Sequence, residues 1–393
     1  MPRQRQIYNT DLVYVGPTGL RSTTGILFSN SVYRGVPAAS GYTGISMDGA
    51  NFIHQLFRVQ NANYSWAKQL QDVNQFGELA AIDRVSITQP TVTLNFNYLF
   101  SNFVNEKLIG FTVNKAGDAT ETSALSGILA AVSETKNYFI KTVAEGSDAA
   151  DNNSLVYNTL AIGNGTIASY TSQGAVGGFP SVDVSIQGLN LEGHAFTAIA
   201  TGQITPAVNP ADGTQITGIY YRLPSGLTSL DDAALGADKG LSVIKPGDIT
   251  LSLGLGAGDG FYDEADMKIQ SYNLAFNFNL EDLNKLGSKY AFAKVPVFPV
   301  QATMSVTANV GDFQTGSLIR IVDVNKDFNP SVTLKRGDTN AVIAKYTLKT
   351  AKLDNQDISS AIGQNKSITM NFVSQLASAE DLTKGLFFSG ITV

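Results

Sequence analysis

The chain has 393 residues, 43% hydrophobic and only 15% charged, with a formal net charge of −6 and no cysteine. That length suits two hydrophobic cores rather than one. A charged fraction well under the ~25% of ordinary soluble domains means that much of the surface is either covered by partners or is a neutral polar lining. The acidic balance argues against a basic nucleic-acid grip, which neutralises phosphates with clustered Lys and Arg, and the lack of cysteine excludes disulfides, thiolate catalysis and Cys-based zinc sites.

From the N-terminus, Met1–Gly16 carries early arginines but no apolar stretch of signal-peptide length. No apolar run approaches the ~20 residues of a membrane span. The chain is therefore expected to be soluble when made, in a cytoplasm, with no membrane partner. Asn51–Arg58 reads as a short helix. In Thr91–Tyr98 the alternation has period two: Val92, Leu94, Phe96 and Tyr98 share one face, and Thr91, Thr93, Asn95 and Asn97 the other. Leu125, Ile128, Leu129 and Val132 recur at helical spacing and predict an outer helix on the first domain's sheet. Residues 115–164, with the loop Ala144–Asn153, read as an outer decoration. Ile167–Gly178 then leads through a glycine-containing turn into Ser181–Gln187, where Asp183 and Ser185 oppose Val182, Val184 and Ile186. Ile204–Lys245, rich in Pro, Gly, Asp and Ala, reads as a connection, and Asp248–Leu255 as the first strand after it.

The next segment repeats an earlier one. Val59–Ile109 aligns without a gap on Ile269–Ile319, about 210 residues later. Gln60 meets Gln270, Asn63 meets Asn273, Asp72 meets Asp282, Gly77 meets Gly287, Thr93 meets Thr303 and Phe103 meets Phe313. The alternation repeats too. Tyr272, Leu274, Phe276 and Phe278 oppose Asn273, Ala275, Asn277 and Asn279, and Ala302, Met304, Val306 and Ala308 oppose Gln301, Thr303, Ser305 and Thr307. Ala344–Gly363 leads into Ser367–Phe372, which sets Thr369 and Asn371 against Ile368, Met370 and Phe372. So long a period is a duplicated domain rather than a solenoid of ~20–50-residue units. It divides the chain into a first domain at 1–205, a connection at 206–242 and a second domain at 243–393, each offering two long hairpins. Duplication within a chain suggests a ring or lattice with nearly equivalent places for the two copies.

The polar faces hold Ser, Thr, Asn, Gln and one Asp where a solvated sheet ordinarily mixes in Lys and Glu. One reading is a β-sandwich whose outer face happens to favour Thr and Asn. The other is the wall of a water-filled passage, which offers a polyanion no cation to pause on and, if closed from several subunits, leaves no sheet edge bare. The first-hairpin loops are unusually apolar: Asp72–Arg84 holds Phe76, Leu79 and Ile82, and Asp282–Lys294 holds Leu283, Leu286, Tyr290 and Phe292. Either each loop folds back on its own domain or a partner covers it.

The segments DVNQFGELAAIDRV with QPTVTLNF, and FNLEDLNKLGSKYAFAKV with PVQATMSV, resemble the first hairpin of the tail tube (major tail) proteins of long-tailed bacteriophages. SYTSQGAVGGFPSVDVSIQGLN and KLDNQDISSAIGQNKSITMNF resemble its second hairpin. The resemblance covers most of 55–110, 165–195 and 245–393. It implies a mainly β fold of two tandem β-sandwich or partial-barrel tail-tube domains, each giving two hairpins to an intersubunit β-barrel, with one or two short outer helices. It further implies homotrimeric, pseudo-hexameric rings that assemble in the host cytoplasm and stack into the virion tail as a conduit for double-stranded DNA. Tape-measure, baseplate and terminator proteins would be partners; no cofactor, metal or catalysis is implied. Thr91, Thr93, Asn95, Asn97, Asp183, Ser185, Gln301, Thr303, Ser305, Thr307, Thr369 and Asn371 would then line the lumen. The alternatives are a secreted or surface β-sandwich glycan-binding module, a hydrolase on a β scaffold, and a terminator or baseplate ring of the same fold.

Catalytic signals are weak. His54 and His194 stand in no nucleophile-elbow pattern, and a metal site would need both to meet beside carboxylates. Gly254–Gly260 imitates a phosphate-cradling loop, but Phe261–Gln270 does not read as the helix such a loop serves. Asp259, Asp263, Glu264 and Asp266 could offer oxygens to Ca²⁺, though not at EF-hand spacing.

Overall fold

A computed structural model of the chain describes residues 11–18, 53–87, 89–117, 120–130, 135–143, 149, 157–196, 206–208, 214, 244–255, 267–287, 290–291, 293–310, 326–337, 340–363, 365–378, 381 and 383–390. The chain is mainly β. Its first half holds β1 (Asp11–Pro17), β2 (His54–Gln55), β3 (Val59–Ala67), β4 (Leu70–Val73), β5 (Asp83–Ser86), β6 (Thr91–Leu99), α1 (Val104–Ile109), β7 (Val113–Lys115), α2 (Leu125–Ala130), β8 (Lys136–Thr142), β9 (Tyr157–Ala175), β10 (Ser181–Gly188) and β11 (Asn190–Phe196). The second half holds β12 (Ile249–Ser252), β13 (Lys268–Asn277), β14 (Leu280–Leu283), β15 (Ala293–Pro296), β16 (Val300–Asn309), β17 (Ser331–Lys335), β18 (Val342–Lys349), β19 (Lys352–Ser359), β20 (Ser367–Leu376) and β21 (Gly385–Gly390).

Eight of these strands form one continuous path, β3-β6-β10-β9-β13-β16-β20-β19. Its first four come from the first half and its last four from the second, in the same order. All seven joints are antiparallel. The alternation read from sequence holds in β6, β10, β13, β16 and β20: Val92, Leu94, Phe96, Val182, Ile186, Leu274, Phe276, Met304, Val306, Met370 and Phe372 are buried on one face. Among the described residues this path closes into no barrel; it ends in β3 on one side and β19 on the other.

A second layer, ordered β12-β17-β18-β21-β7, covers the apolar face. Its aromatic residues meet those of the eight-stranded sheet under the junction of the halves. Phe388 lies 5.7 Å from Tyr170 and stacks on Phe103 at 4.8 Å, while Phe111 lies 5.1 Å from Tyr170 and 5.7 Å from Phe276. β7, from the first half, extends this layer in parallel to β21, from the second. One apolar core therefore runs through both halves.

The duplication extends to irregularities. A bulge at Gln60 in β3 recurs at Gln270 in β13, and each glutamine donates from Nε2 to the carbonyl two residues earlier, at 3.0 Å. The second hairpins share a bulge at Ala168 and Asp354. Their turns place Gly177 and Gly363 at φ of 85° and 80°, where a side chain would be strained.

Three expectations change. Asn51–Arg58 is not a helix where it is described: β2 pairs with β1, and Leu56 donates to the Val13 carbonyl at 2.8 Å, so strand pairing overrides a weak helical pattern. The helix predicted from Leu125 exists as α2, yet it meets the second half: Ala124 donates to the Leu386 carbonyl of β21 at 2.7 Å. Within 115–164, the expected outer decoration, β8 is buried along its middle five residues and pairs with both β1 and β9. α1 was not foreseen from the sequence; its Asn105 side chain bonds both backbone groups of Phe57 at 2.9 Å. Val132, most of the connection 206–242, most of Ala144–Asn153 and residues 256–266, including Asp259, Asp263, Glu264 and Asp266, lie outside the described residues.

Candidate functional site

The candidate site is a surface, the polar face of the eight-stranded sheet. All twelve residues expected there lie on it. Thr91, Asn95, Asp183 and Gln301 are exposed, and Thr93, Asn97, Ser185, Thr303, Ser305, Thr307, Thr369 and Asn371 are half-buried between neighbours of their own kind. Register brings them into rows: Asn95 opposes Ser185, Asn97 opposes Asp183, Ser305 opposes Asn371 and Thr307 opposes Thr369. Their side chains bond across the strands. Asn97 Nδ2 donates to Asp183 Oδ1 at 2.8 Å, Gln173 Nε2 donates to Asp183 Oδ2 at 3.1 Å, and Ser65 Oγ lies 2.7 Å from Thr93 Oγ1.

Three strands beyond those read from the sequence share this face. Asn61, Asn63 and Ser65 of β3 stand beside Asn97, Asn95 and Thr93. Ser169, Thr171 and Gln173 of β9, and Asn355, Asp357 and Ser359 of β19, complete it. Copying the polar positions of β13 onto β3 by the 210-residue shift would have found the first three. Within the described strands of this path, lysines reach the polar face only at strand ends, Lys268 opposite Asn309 and Lys352 opposite Val373; Lys352 pairs with Asp327 at 2.6 Å.

Two hairpin arms extend from the sheet, each joining the strands of a first hairpin. The first is β4–β5 with its turn at Gly77, and the second is β14–β15 with its turn at Gly287. Each carries one basal ion pair, Asp72–Arg84 and Asp282–Lys294, both at 2.5 Å. The second arm leans on the first half. Gln89 donates from Nε2 to Asp282 Oδ2 at 2.7 Å and accepts from the Ala291 amide at 2.6 Å. A cavity beneath the arm is walled by Phe278, Leu280, Lys294 and Pro296 on one side and by Ile109, Ile128, Leu129 and Tyr138 on the other. In the arms, Phe76, Leu79 and Leu286 are fully exposed, Ile82 is largely exposed, and Leu283 and Tyr290 are half-buried; Phe292 lies outside the described residues.

A buried titratable network sits in the core. Glu106 of α1 is fully buried; burial raises its carboxyl to about 7, against hydrogen bonds from Tyr98 at 2.6 Å and Tyr170 at 3.1 Å. Tyr170 in turn contacts the Tyr346 hydroxyl at 3.1 Å, so this network ties the two halves together. All four of its side chains, Tyr98, Glu106, Tyr170 and Tyr346, are buried. His54 lies in β2 and His194 in β11, strands that are not neighbours. No group of three or more His, Asp or Glu side chains among the described residues could hold a metal ion. No helix among them is long and apolar enough to cross a membrane.

No protein family and no curated protein matches this sequence. Among solved structures, the chain is similar to one in the cryo-EM structure of the anti-feeding prophage baseplate, 6-fold symmetrised. Identity is 11%, the TM-score is 0.24, and the match covers 37% of this chain and 93% of that one.

Proposed function

We propose that this chain is a non-enzymatic virion structural protein, a subunit of a phage tail tube whose rings form the conduit for DNA ejection. The carrying observation is the eight-stranded sheet with one apolar, covered face and one polar face almost free of cations. Three copies would supply 24 strands. At ~4.8 Å between strands and a tilt near 45°, the closed barrel would be roughly 50 Å across its backbone, narrowing to about 40 Å between side chains. That bore admits duplex DNA, and its hydroxyls and amides stay hydrated without holding phosphates. Six domain-sized sets of four strands would give the trimer pseudo-sixfold symmetry. The exposed tips Phe76, Leu79 and Leu286 would meet the next ring, as exposed apolar tips favour burial against a partner. Tape-measure, baseplate and terminator proteins are the expected neighbours. A single terminator or baseplate ring uses the same surfaces without stacking.

Electron microscopy of the purified chain, with native mass measurement, tests this reading. Rings of three chains with a central channel are expected. A stable monomer at high concentration, a ring of six chains, or an assembly without a channel overturns it.

A further inference from the structure

Each chain already contains one joint between its two halves, where β9 meets β13. Tyr272 faces Gly174, Leu274 faces Ser172, and Phe276 faces Tyr170. These side chains are buried; Leu274 is 1% and Phe276 3% exposed. At the outer edges the equivalent side chains are bare. The 210-residue shift that carries Gly77 onto Gly287 places Tyr64 at Leu274 and Trp66 at Phe276; Tyr64 is 49% and Trp66 62% exposed. The 186-residue shift that carries Gly177 onto Gly363 places Ile358 of β19 at Ser172, and Ile358 is 43% exposed.

We infer that the two sheet edges left open among the described residues are halves of one head-to-tail interface, in which β3 of one copy pairs antiparallel with β19 of a second copy in the register of the β9–β13 joint. Asn63 then faces Ser359, Tyr64 faces Ile358, Ser65 faces Asp357 and Trp66 faces Gln356. The partner is a second copy because the chain carries both sides of the joint and a built example of it. Side-chain volumes shift together across the interface. Tyr272 lies over Gly174, where a Cβ would meet its ring at 2.6 Å; the outer equivalents are the small pair Ala62 and Ser360. One step along, the small Ser172 under Leu274 gives way to Ile358 under Tyr64. The joint is heterologous, so repetition adds copy after copy and closes a ring where the rotation permits, whereas pairing β3 with β3 would stop at a dimer.

The basal ion pairs give a second, independent sign. Lys294 is 6% exposed where the second arm leans on the first half, but Arg84, its equivalent, is 66% exposed. The first arm thus lacks a cover that the second has, on the side where β19 of a second copy would arrive.

This inference rests on the ring reading only for closure; the joint itself follows from the duplication. Because the chain has no cysteine, introduced thiols report on copies alone. In the internal joint Val176 donates to the Gln270 carbonyl at 2.9 Å and Phe278 to the Ala168 carbonyl at 2.7 Å. Those are hydrogen-bonded positions, so the polar-face positions between them are the closer, non-hydrogen-bonded kind, within disulfide reach. The test is oxidation of the double variant Asn63→Cys/Ser359→Cys beside the off-register control Asn63→Cys/Asp357→Cys, read on non-reducing gels. Covalent oligomers from the first, at least several-fold above the control, are expected, ending at three chains. Equal or greater yield from the control, or cross-linking of Asn63→Cys alone to itself, overturns the register. Rings seen by microscopy with no cross-link from either pair overturn the joint but leave the ring. Matched cross-links running on into open ladders keep the joint and overturn the trimeric tube.

Discussion

The arm β14–β15 and the arm β4–β5 share a turn glycine, a basal Asp–cation pair and a four-residue ladder, yet they stand in different surroundings. The second is bonded by Gln89 and underlain by apolar side chains of the first half. The first exposes Leu70, Val73 and Val85, and β3 beside it exposes Tyr64 and Trp66. Identical architecture with unequal burial indicates that the environment, not the arm, is missing. In a duplicated chain, the covered copy shows what the uncovered copy is built to meet.

The largest expected contrast comes from placing a charge at equivalent sites. Phe276→Asp removes a buried ring and leaves an unpaired carboxylate, a loss of at least ~5 kcal/mol, enough to unfold the chain. Trp66→Asp should change monomer stability by less than ~0.5 kcal/mol while abolishing association. Urea unfolding followed by circular dichroism at low concentration checks both. Equal destabilisation by the two changes would break the comparison.

The pH dependence of the tie between halves is a smaller effect. Glu106 has a folded pKa near 7 against an ordinary value of 4.5. The folded state therefore holds the extra proton between these values. Stability is fully present below pH ~4.5 and declines as pH rises through about 7, by roughly 3 kcal/mol in total. Glu106→Gln should flatten that slope in unfolding measurements between pH 5 and pH 8. An unchanged slope would mean another group carries it.

Next comes the double change Phe76→Asp/Leu286→Asp at the two fully exposed tips. Monomer stability should stay within ~0.5 kcal/mol, and rings should form without stacking. Normal tubes in electron micrographs would remove the tips from the contact between rings. The smallest structural effect is expected from Thr93→Lys/Thr303→Lys on the polar face. The fold and rings should persist, with salt-dependent retention of DNA. DNA passage at the normal rate in low salt would argue that these side chains do not face a lumen.

Much of this was legible because period two is rigid. A slip of one residue in β6 or β16 would turn Val92, Leu94 and Met304 outward, so alternation alone identified the polar face. The duplication likewise gave both arms and their turn glycines. Long-range placement was not legible. Nothing local in Val113–Lys115 announces that it joins β21 of the other half, and α1 is too short for a helical period to show. β8 misled because a strand buried on both faces loses its alternation. Asn61, Asn63 and Ser65 become legible only when β6 is set beside β3, where Ser65 bonds Thr93.

Trp66 is the only tryptophan in the chain, and it stands on the edge that a second copy is inferred to cover. Its emission is the most direct measure of whether the outer edges repeat the inner joint. With increasing concentration, as rings appear in the microscope, its maximum should shift to the blue and quenching by iodide should fall. An emission maximum that stays at the solvent-exposed position while rings are abundant would contradict the account.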